Sequence, residues 1–167
     1  DTKSTQGVFA VCKMKTENTT LDKKVIALDG VQDPANIGAI FRTAEALGIK
    51  SIITYNCCDI YNPKTLRASM GGVLRLVPQK SENLADTLFS LKSEYKIYST
   101  VPSDSAERIT DIDFSSPCVL VIGNEANGVS KEVKAVSDKL VTIPMRGNAE
   151  SLNASAAAAI TMWEMLR

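Results

Sequence analysis

Residues 143–167 read IPMRGNAESLNASAAAAITMWEMLR, and two earlier segments share their character, DPANIGAIFRTAEALG at 33–48 and GNEANGVS at 123–130. Each segment places small and polar residues where an apolar strand gives way to a helix. Open parallel sheets bind ligands in the crevice at the carboxyl ends of their strands. The three segments therefore predict a parallel sheet with a ligand site at that edge.

Working outward from these segments, short apolar runs alternate with helical patterns, which predicts βαβ units and a mainly parallel α/β sheet. Strands are predicted at 24–28, 51–55, 73–77, 96–100, 118–122 and 139–143. Helices are predicted at 34–48, 63–70, 82–94, 130–136 and 152–167. The predicted helix boundaries are the N-caps Asp33, Ser81, Ser130 and Ser151 and the stop at Gly48. The remaining predictions are an N-terminal strand at 7–11, a linker that completes residues 1–23, and a polar connection at 102–117.

The composition is typical of one globular domain. The chain has 167 residues, of which 44% are hydrophobic and 23% charged, enough for a substantial core. No run of eighteen apolar residues and no charged leader occurs, so we expect no membrane span, no secretory signal and a cytoplasmic location. The net charge is zero, with 19 basic and 19 acidic side chains. This balance argues against nucleic-acid binding by the domain alone. Binding through a local basic patch, a groove formed by a dimer or a basic partner domain stays open.

Two residue counts limit the chemistry. Histidine is absent, which removes the commonest general base and metal ligand. The four cysteines, Cys12, Cys57, Cys58 and Cys118, lack both the paired spacing of a zinc site and the density of a disulfide scaffold. We therefore expect reduced, partly buried thiols, no metal site, and catalysis by other groups.

Asn36, Gly38 and Arg42 form the first candidate group. On a helix, Gly38 and Arg42 lie one turn apart, opposite an apolar stripe that includes Ile37, and Gly38 leaves room beside Arg42. Periodicity alone favours a solvated arginine paired with Glu45. An arginine near the start of a helix that follows a strand also suits an anionic substrate such as a phosphodiester.

The segment 123–130 is the second candidate group. It lacks the Lys-Ser/Thr ending of the Walker pattern, and GxGxxG is absent from the chain, which disfavours nucleotide hydrolysis and ordinary dinucleotide binding. Gly123 and Gly128 permit tight turns, while Asn124 and Glu125 offer an amide and a carboxylate at the sheet edge. A plain strand-to-helix turn explains the segment equally well.

The third candidate group follows the last predicted strand. Pro144 ends that strand and Gly147 allows a bend before a helix whose first turn carries Asn153 and Ser155. For Ser151 the simple alternative is a helix N-cap. For the alanine-rich helix body, close packing against the sheet or a second subunit is the favoured explanation.

Three segments carry a family resemblance: LDGVQDPANIGAIFRTAEALG, VLVIGNEANGVS and VTIPMRGNAESLNASAAAA. In this order they resemble the three motifs of the SpoU type of SPOUT methyltransferases, which transfer a methyl group from S-adenosylmethionine to a ribose 2′-hydroxyl of tRNA or rRNA. RASMGG at 67–72 is similar to a further family segment. QGVFAV at 6–11 resembles the start of the catalytic domain in members with an N-terminal RNA-binding domain, which favours rRNA over tRNA. The resemblance covers residues 24–167, so 24–167 would be the catalytic domain, and it allows an RNA-binding domain before the 1–23 segment.

The resemblance implies a parallel α/β sheet with helices on both faces and a C-terminal trefoil knot, an exception to the rule that chains are unknotted. It also implies a homodimer with the active site at the subunit interface, and a bent S-adenosylmethionine held largely by backbone groups. The implied cofactor-binding residues are Gly123, Ile143, Leu152, Thr100 and Met145. The implied catalytic residues are Arg42, Asn36, Glu125, Ser151 and Asn153.

The implied reaction is an in-line attack by a ribose oxygen on the methyl group of a sulfonium ion, without a metal. Two roles for Arg42 stay open. The family resemblance implies a base, although a guanidinium has a pKa of about 12 or higher; the alternative is to hold the neighbouring phosphate and stabilise alkoxide charge. Asn36, Ser151 and Asn153 would orient Arg42 and the ribose, and Glu125 would fix Arg42 or its own loop.

Two other functions stay open. A non-catalytic RNA-binding or assembly module could retain the fold, although the intact polar set argues against it. A small flavodoxin-like nucleotide-binding domain follows if only the strand and helix pattern is considered. The local cations that could contact RNA, or could be solvated surface, are Lys64, Arg67, Arg75 and Arg146.

Overall fold

One parallel sheet organises the fold. The computed structural model describes residues 20–167 together with Gly7, Val11, Lys13 and Met14. Within this part of the chain the strands are β1 (Lys24–Asp29), β2 (Ser51–Tyr55), β3 (Gln79–Lys80), β4 (Lys96–Thr100), β5 (Glu107–Arg108), β6 (Cys118–Gly123) and β7 (Lys139–Thr142). They pair in the order β3-β2-β1-β6-β4-β7-β5, and every pairing is parallel. The predicted parallel sheet is confirmed.

Helices cover both faces of the sheet, as expected. They are α1 (Pro34–Ala46), α2 (Pro63–Ala68), α3 (Gly72–Arg75), α4 (Leu84–Leu91), α5 (Lys131–Val136) and α6 (Ala154–Leu166), with a 3₁₀ turn at Ile109–Asp111. One core cluster joins the sheet to α1 and α6, and a second joins it to α4 and α5. On β1, Ile26 and Leu28 belong to the first cluster and Val25 and Ala27 to the second, because successive side chains of a strand point to opposite faces. The central strands are therefore apolar throughout.

The strand predicted at 73–77 is wrong, because this segment begins with helix α3 and the next strand is the two-residue β3. The run Val-Leu-Arg-Leu-Val fits a strand locally, but tertiary contact decides its structure. A Cβ added to Gly72 would lie 3.2 Å from the backbone of Phe41 and Arg42. The missing side chain at Gly72 thus lets the start of α3 pack directly on α1.

The polar connection predicted at 102–117 contains strand β5 and the 3₁₀ turn. Both residues of β5 are exposed, and among the described strands β5 pairs only with β7, at the edge of the sheet. An exposed edge strand needs no apolar pattern, so the sequence gives no signal for it.

Two of the predicted helix boundaries near α1 are confirmed. The Asp33 side chain accepts a hydrogen bond from the backbone N–H of Ala35 at 3.0 Å, and Gly48 follows the helix with a φ of +77°, which favours glycine. Ser81 is not the cap of α4. Its side chain is buried, and Asn83 accepts the capping hydrogen bond instead.

Residues 8–10 of the predicted N-terminal strand at 7–11 and most of the linker lie outside the described residues, as does Cys12, so the strand prediction is not tested. Cys57, Cys58 and Cys118 are free and at least half-buried, as expected. Burial raises the pKa of the Cys57 thiol to about 11. Within the residues that the structure describes, no helix combines the length and the apolar character needed to cross a bilayer.

Candidate active site

A cleft of about 410 Å³ opens at the carboxyl ends of β4, β6 and β7. Its walls come from the segments that follow these strands and from the start of α6. The structure places in its lining all five residues predicted to bind a cofactor: Thr100, Gly123, Ile143, Met145 and Leu152. The volume is typical of small-molecule sites, and the position is the one where parallel sheets bind ligands.

The loop at 124–128 closes tightly over the end of β6. A Cβ added to Gly123 would lie 2.2 Å from the backbone of Gly128 and Val129, so no side chain fits there. Asn124 and Gly128 exchange two backbone hydrogen bonds, of 3.1 and 2.9 Å. Gly128 has a φ of +66°, in the left-handed region that favours glycine. These contacts form a compact turn that carries Glu125.

The Glu125 carboxylate joins this turn to the start of α1. It accepts hydrogen bonds from the backbone N–H groups of Gln32 and Asp33, at 3.1 and 3.0 Å, and from Nδ2 of Asn36 at 2.9 Å. Partial burial raises the pKa of this carboxyl, but these donors outweigh burial and the pKa is lowered overall. Glu125 is therefore a fixed anion at a helix N-terminus, where negative charge is favourable.

Asn36 extends the connection to α6. Its Oδ1 accepts a hydrogen bond from Nδ2 of Asn153 at 3.0 Å. Asn153 is the N-cap of α6, since its Oδ1 accepts from the backbone N–H groups of Ser155 and Ala156. One chain of hydrogen bonds, Glu125–Asn36–Asn153, thus joins a residue from each of the three sequence segments. We call it the polar relay.

Ser151 is not the cap of α6, and the prediction that it caps this helix is wrong. Asn153 caps the helix because its carboxamide reaches two backbone N–H groups while its other end reaches Asn36. Ser151 instead lies exposed in the lining of the cleft. Its hydroxyl makes no hydrogen bond to the described part of the protein, so it is available to a ligand.

Arg42 stands apart from the polar relay. It lies six residues after Asn36 on α1, about 9 Å further along the helix axis. Its side chain is exposed and makes no ion pair or hydrogen bond to any described residue. The predicted pairing with Glu45 is wrong, because Glu45 binds Arg75 with N–O distances of 2.8 and 3.3 Å. Arg42 is consequently the free cation of α1.

Gly38 makes room for α2 and not for Arg42. A Cβ added to Gly38 would lie 2.5 Å from Cβ of Ala68 and 2.8 Å from the carbonyl oxygen of Thr65. The prediction failed because the face opposite the apolar stripe is covered by a helix that lies later in the chain.

Sequence reasoning missed Asp29 and Lys134. The buried Asp29 carboxylate accepts a hydrogen bond of 2.7 Å from the backbone N–H of Ser130, at the start of α5. The Ser130 side chain, the predicted cap, makes no capping bond. An acidic residue that ends an apolar strand was the available signal for Asp29. Lys134, on α5, lines the cleft, and no local signal marked it.

The candidate surface cations divide into two groups. Lys64 pairs with Asp33 at 3.1 Å, and Arg75 with Glu45. Arg67 and Arg146 are exposed and, within the described ranges, without an ion pair. Arg67 together with Arg42 therefore offers free positive charge on the α1–α2 side of the molecule.

The sequence matches the SpoU rRNA Methylase family over residues 23–163. A similar relative is the 23S rRNA (guanosine(2553)-2′-O)-methyltransferase RlmP of Bacillus subtilis (strain 168), which is 35% identical over 99% of this chain and 66% of its own length. The chain spans 58% to 66% of the length of the first curated relatives that it matches.

Solved structures of SpoU and TrmH/SpoU proteins have a fold similar to that of this chain. The SpoU methyltransferase AviRb from Streptomyces viridochromogenes, in complex with the cofactor AdoMet, has a TM-score of 0.77 and 31% identity, over 85% of this chain and 58% of its own. The A. aeolicus TrmH/SpoU tRNA modifying enzyme has a TM-score of 0.78 and 31% identity, over 86% of this chain and 74% of its own.

Proposed function

Because the chain belongs to the SpoU rRNA Methylase family, we propose that it is an RNA methyltransferase that uses S-adenosylmethionine to methylate a ribose 2′-hydroxyl. The observation that carries the proposal is the polar relay, which brings residues of three distant segments together beside the cleft. The relay fixes the Glu125 turn and the starts of α1 and α6 beside the cleft, and catalysis requires groups held in fixed positions around a ligand. The relay therefore favours an enzyme over a non-catalytic module.

The cleft suits the donor in both size and chemistry. Its lining combines apolar side chains, among them Ile122, Ile143 and Leu152, with the backbone of three loops. An apolar lining with a few placed polar groups is typical of cofactor sites. Gly123, Ile143 and Leu152 would hold S-adenosylmethionine largely through backbone groups, with Thr100 and Met145 beside it. When bound, this donor supplies a methyl group made electrophilic by its positive sulfur.

The polar residues then divide by role. Glu125 already accepts three hydrogen bonds and has a lowered pKa, so it positions α1 against its own loop and is a poor proton acceptor. Asn36 and Asn153 fix α1 relative to α6 in the same way. Ser151, whose hydroxyl is exposed at the cleft, would bind the ribose. Arg42 would hold the adjacent phosphate and stabilise negative charge on the attacking oxygen.

For the substrate we propose rRNA, in the cytoplasm, with tRNA as the alternative. The B. subtilis relative is named for 23S rRNA, and the A. aeolicus protein for tRNA. The free cations Arg42 and Arg67 support contact with a phosphate backbone. Because the whole chain carries no net charge, this contact is local.

We include a homodimer and the C-terminal trefoil knot of the family in the proposal. Ala156, Ile160 and Trp163 form an exposed apolar stripe on α6, the face opposite its packing against the sheet. Trp163 is 64% exposed and Ile160 43% exposed. Exposed apolar stripes of this kind mark interaction sites, and a second copy of the chain would cover this one.

The direct test is methyl transfer. The protein is incubated with a donor that carries a labelled methyl group and with rRNA or tRNA from cells that lack the matching modification, and the product is mapped for 2′-O-methyl groups. We expect a single methylated ribose in rRNA, lost in the Arg42→Ala variant and kept in Arg108→Ala, an exposed arginine on β5. A methyl group on tRNA alone would establish the alternative substrate. Donor binding without transfer to either RNA would favour the non-catalytic module, and binding of flavin instead of the donor would overturn the proposal.

A further inference from the structure

Among the described residues that line the cleft, Lys134 is the one with a cationic side chain. It belongs to α5 and is half-buried. In the part of the lining that the structure describes, the only other charged residue is Glu125, whose carboxylate is held by three donors at the start of α1. The cleft therefore offers a ligand one cationic group, the Lys134 ammonium, apart from a carboxylate whose oxygens already accept hydrogen bonds.

This ammonium group has no counter-ion within residues 20–167. Two other lysines of the described residues, near the amino ends of β4 and β7, are paired: Lys92 with Asp138 at 3.1 Å, and Lys139 with Glu107 at 2.9 Å. Lys134 forms no ion pair, and its Nζ makes no hydrogen bond to this part of the chain. A partly buried charge without a partner is unfavourable, so a bound anion would stabilise it.

Two other polar side chains of the lining, those of Thr100 and Asn124, are already engaged in hydrogen bonds. The Thr100 hydroxyl donates to the carbonyl oxygen of Val121 at 2.9 Å. The Asn124 carboxamide donates to the carbonyl oxygen of Gly30 at 2.8 Å and accepts from two backbone N–H groups of its own loop. These groups shape the cleft, whereas Lys134 is left to interact with what fills it.

We infer that Lys134 binds the carboxylate of the amino-acid part of S-adenosylmethionine, an inference that rests on the proposed function. The carboxylate is the only anionic group of this donor, whose sulfur and amino group are both positive at neutral pH. An ammonium group in the cleft is repelled by the positive groups and attracted by the carboxylate, so Lys134 selects one orientation of the donor. The amino-acid end then lies toward α5.

The test compares ligands with and without the carboxylate. Calorimetry measures the dissociation constants of wild type and Lys134→Gln for S-adenosylmethionine and for decarboxylated S-adenosylmethionine. We expect Lys134→Gln to bind S-adenosylmethionine about five- to tenfold more weakly than wild type does, the range of a partly exposed charge-assisted hydrogen bond. Its affinity for decarboxylated S-adenosylmethionine should equal that of wild type. Lys134→Arg should retain most of the affinity, because it keeps the charge. Lys131→Gln, on the exposed side of the same helix, is the matched control and should bind both as wild type does.

Each failure has its own meaning. Folded wild-type protein that binds neither ligand overturns the proposed function itself. A Lys134→Gln variant that binds S-adenosylmethionine as tightly as wild type overturns this inference and leaves the proposed function standing. Equal weakening for both ligands shows that Lys134 contacts another part of the donor, which also overturns the inference.

Discussion

Asn153 donates a hydrogen bond of 3.0 Å to Asn36, although 117 residues separate them in the sequence. The orientation of the Asn36 carboxamide is dictated by its neighbours. The Glu125 carboxylate only accepts hydrogen bonds, so the Asn36 amino group must face it. The Asn36 carbonyl oxygen then faces Asn153, which supplies the N–H donor that this oxygen needs. The two helices α1 and α6 are thus fixed to each other and to the Glu125 turn by one buried amide.

The first prediction concerns this amide. Asn36 is only 5% exposed, and replacing it with alanine removes both hydrogen bonds and leaves a void. We expect Asn36→Ala to lower the free energy of unfolding by about 1–3 kcal/mol. Urea denaturation followed by circular dichroism measures the change. Asn148→Ala, at an exposed position with no hydrogen bond to the described residues, should change it by less than about 0.5 kcal/mol. Equal stability of Asn36→Ala and wild type would show that the polar relay is not formed in solution.

The second prediction concerns acid. The folded protein lowers the pKa of Glu125 below its ordinary value of 4.5, because it binds the ionised form. The stabilisation is therefore complete above the unfolded pKa and is lost as the pH falls through the folded one. Because Asp33, Asp113 and Asp138 also have lowered pKa values, only a difference between variants isolates Glu125.

We expect Glu125→Gln to lose less unfolding free energy than wild type between about pH 5 and about pH 3. Urea denaturation at several pH values measures both curves. Glu150→Gln, at an exposed position, is the control and should follow wild type. If the unfolding free energy of Glu125→Gln falls with pH as much as that of wild type in this range, the carboxylate is not held by the three donors.

The sequence was sufficient where the structure depends on local pattern. β1, β2, β4 and β6 lie within a residue of their predicted bounds, because strands buried on both faces are continuous apolar runs. The cleft lining was also anticipated, since parallel strands bring their carboxyl ends to one edge.

The sequence was insufficient to predict side-chain contacts that depend on an element distant in the chain. Position 38 has room only for a glycine because α2 lies against it. Glu45 forms its ion pair with Arg75 instead of Arg42. A helical wheel shows which residues share a face, but not which later element covers that face. In the same way, Asn153 caps α6 in place of Ser151 because it also reaches Asn36, a partner from the first segment.

The third prediction uses two glycines of the cleft region. Gly123→Ala places a Cβ 2.2 Å from the backbone of Gly128 and Val129, and backbone cannot move aside as a flexible side chain does. We expect a loss of about 1–3 kcal/mol in unfolding free energy, with weaker binding of S-adenosylmethionine. Gly147→Ala is the matched control, since an added Cβ there meets nothing within 4 Å. Thermal unfolding and calorimetry measure the two effects. A fully stable Gly123→Ala variant would show that the 124–128 turn is looser than described.

The fourth prediction tests the α6 stripe. We expect wild type to be a dimer and Trp163→Glu to be a monomer, because a buried unpaired carboxylate opposes association. Size-exclusion chromatography with light scattering measures the mass of each. Phe89→Glu is the control: Phe89 is equally exposed, at 68%, but lies on α4, across the sheet from α6, and its variant should stay dimeric. A monomeric wild type, or a dimeric Trp163→Glu, would place the interface elsewhere.

The fifth prediction separates the two roles of Arg42. Arg42 does not line the cleft, so Arg42→Ala should bind S-adenosylmethionine as wild type does while kcat falls by about 10²–10³, the usual cost of losing one group that stabilises developing charge. Arg42→Lys keeps the charge but loses the planar guanidinium that matches a phosphate. Its kcat should lie between that of wild type and that of Arg42→Ala. If Arg42 were the base, the lysine variant would move the pH–rate profile toward lower pH, because lysine loses its proton more readily. We expect a lower rate with an unchanged profile, and a shifted profile would assign the proton to Arg42.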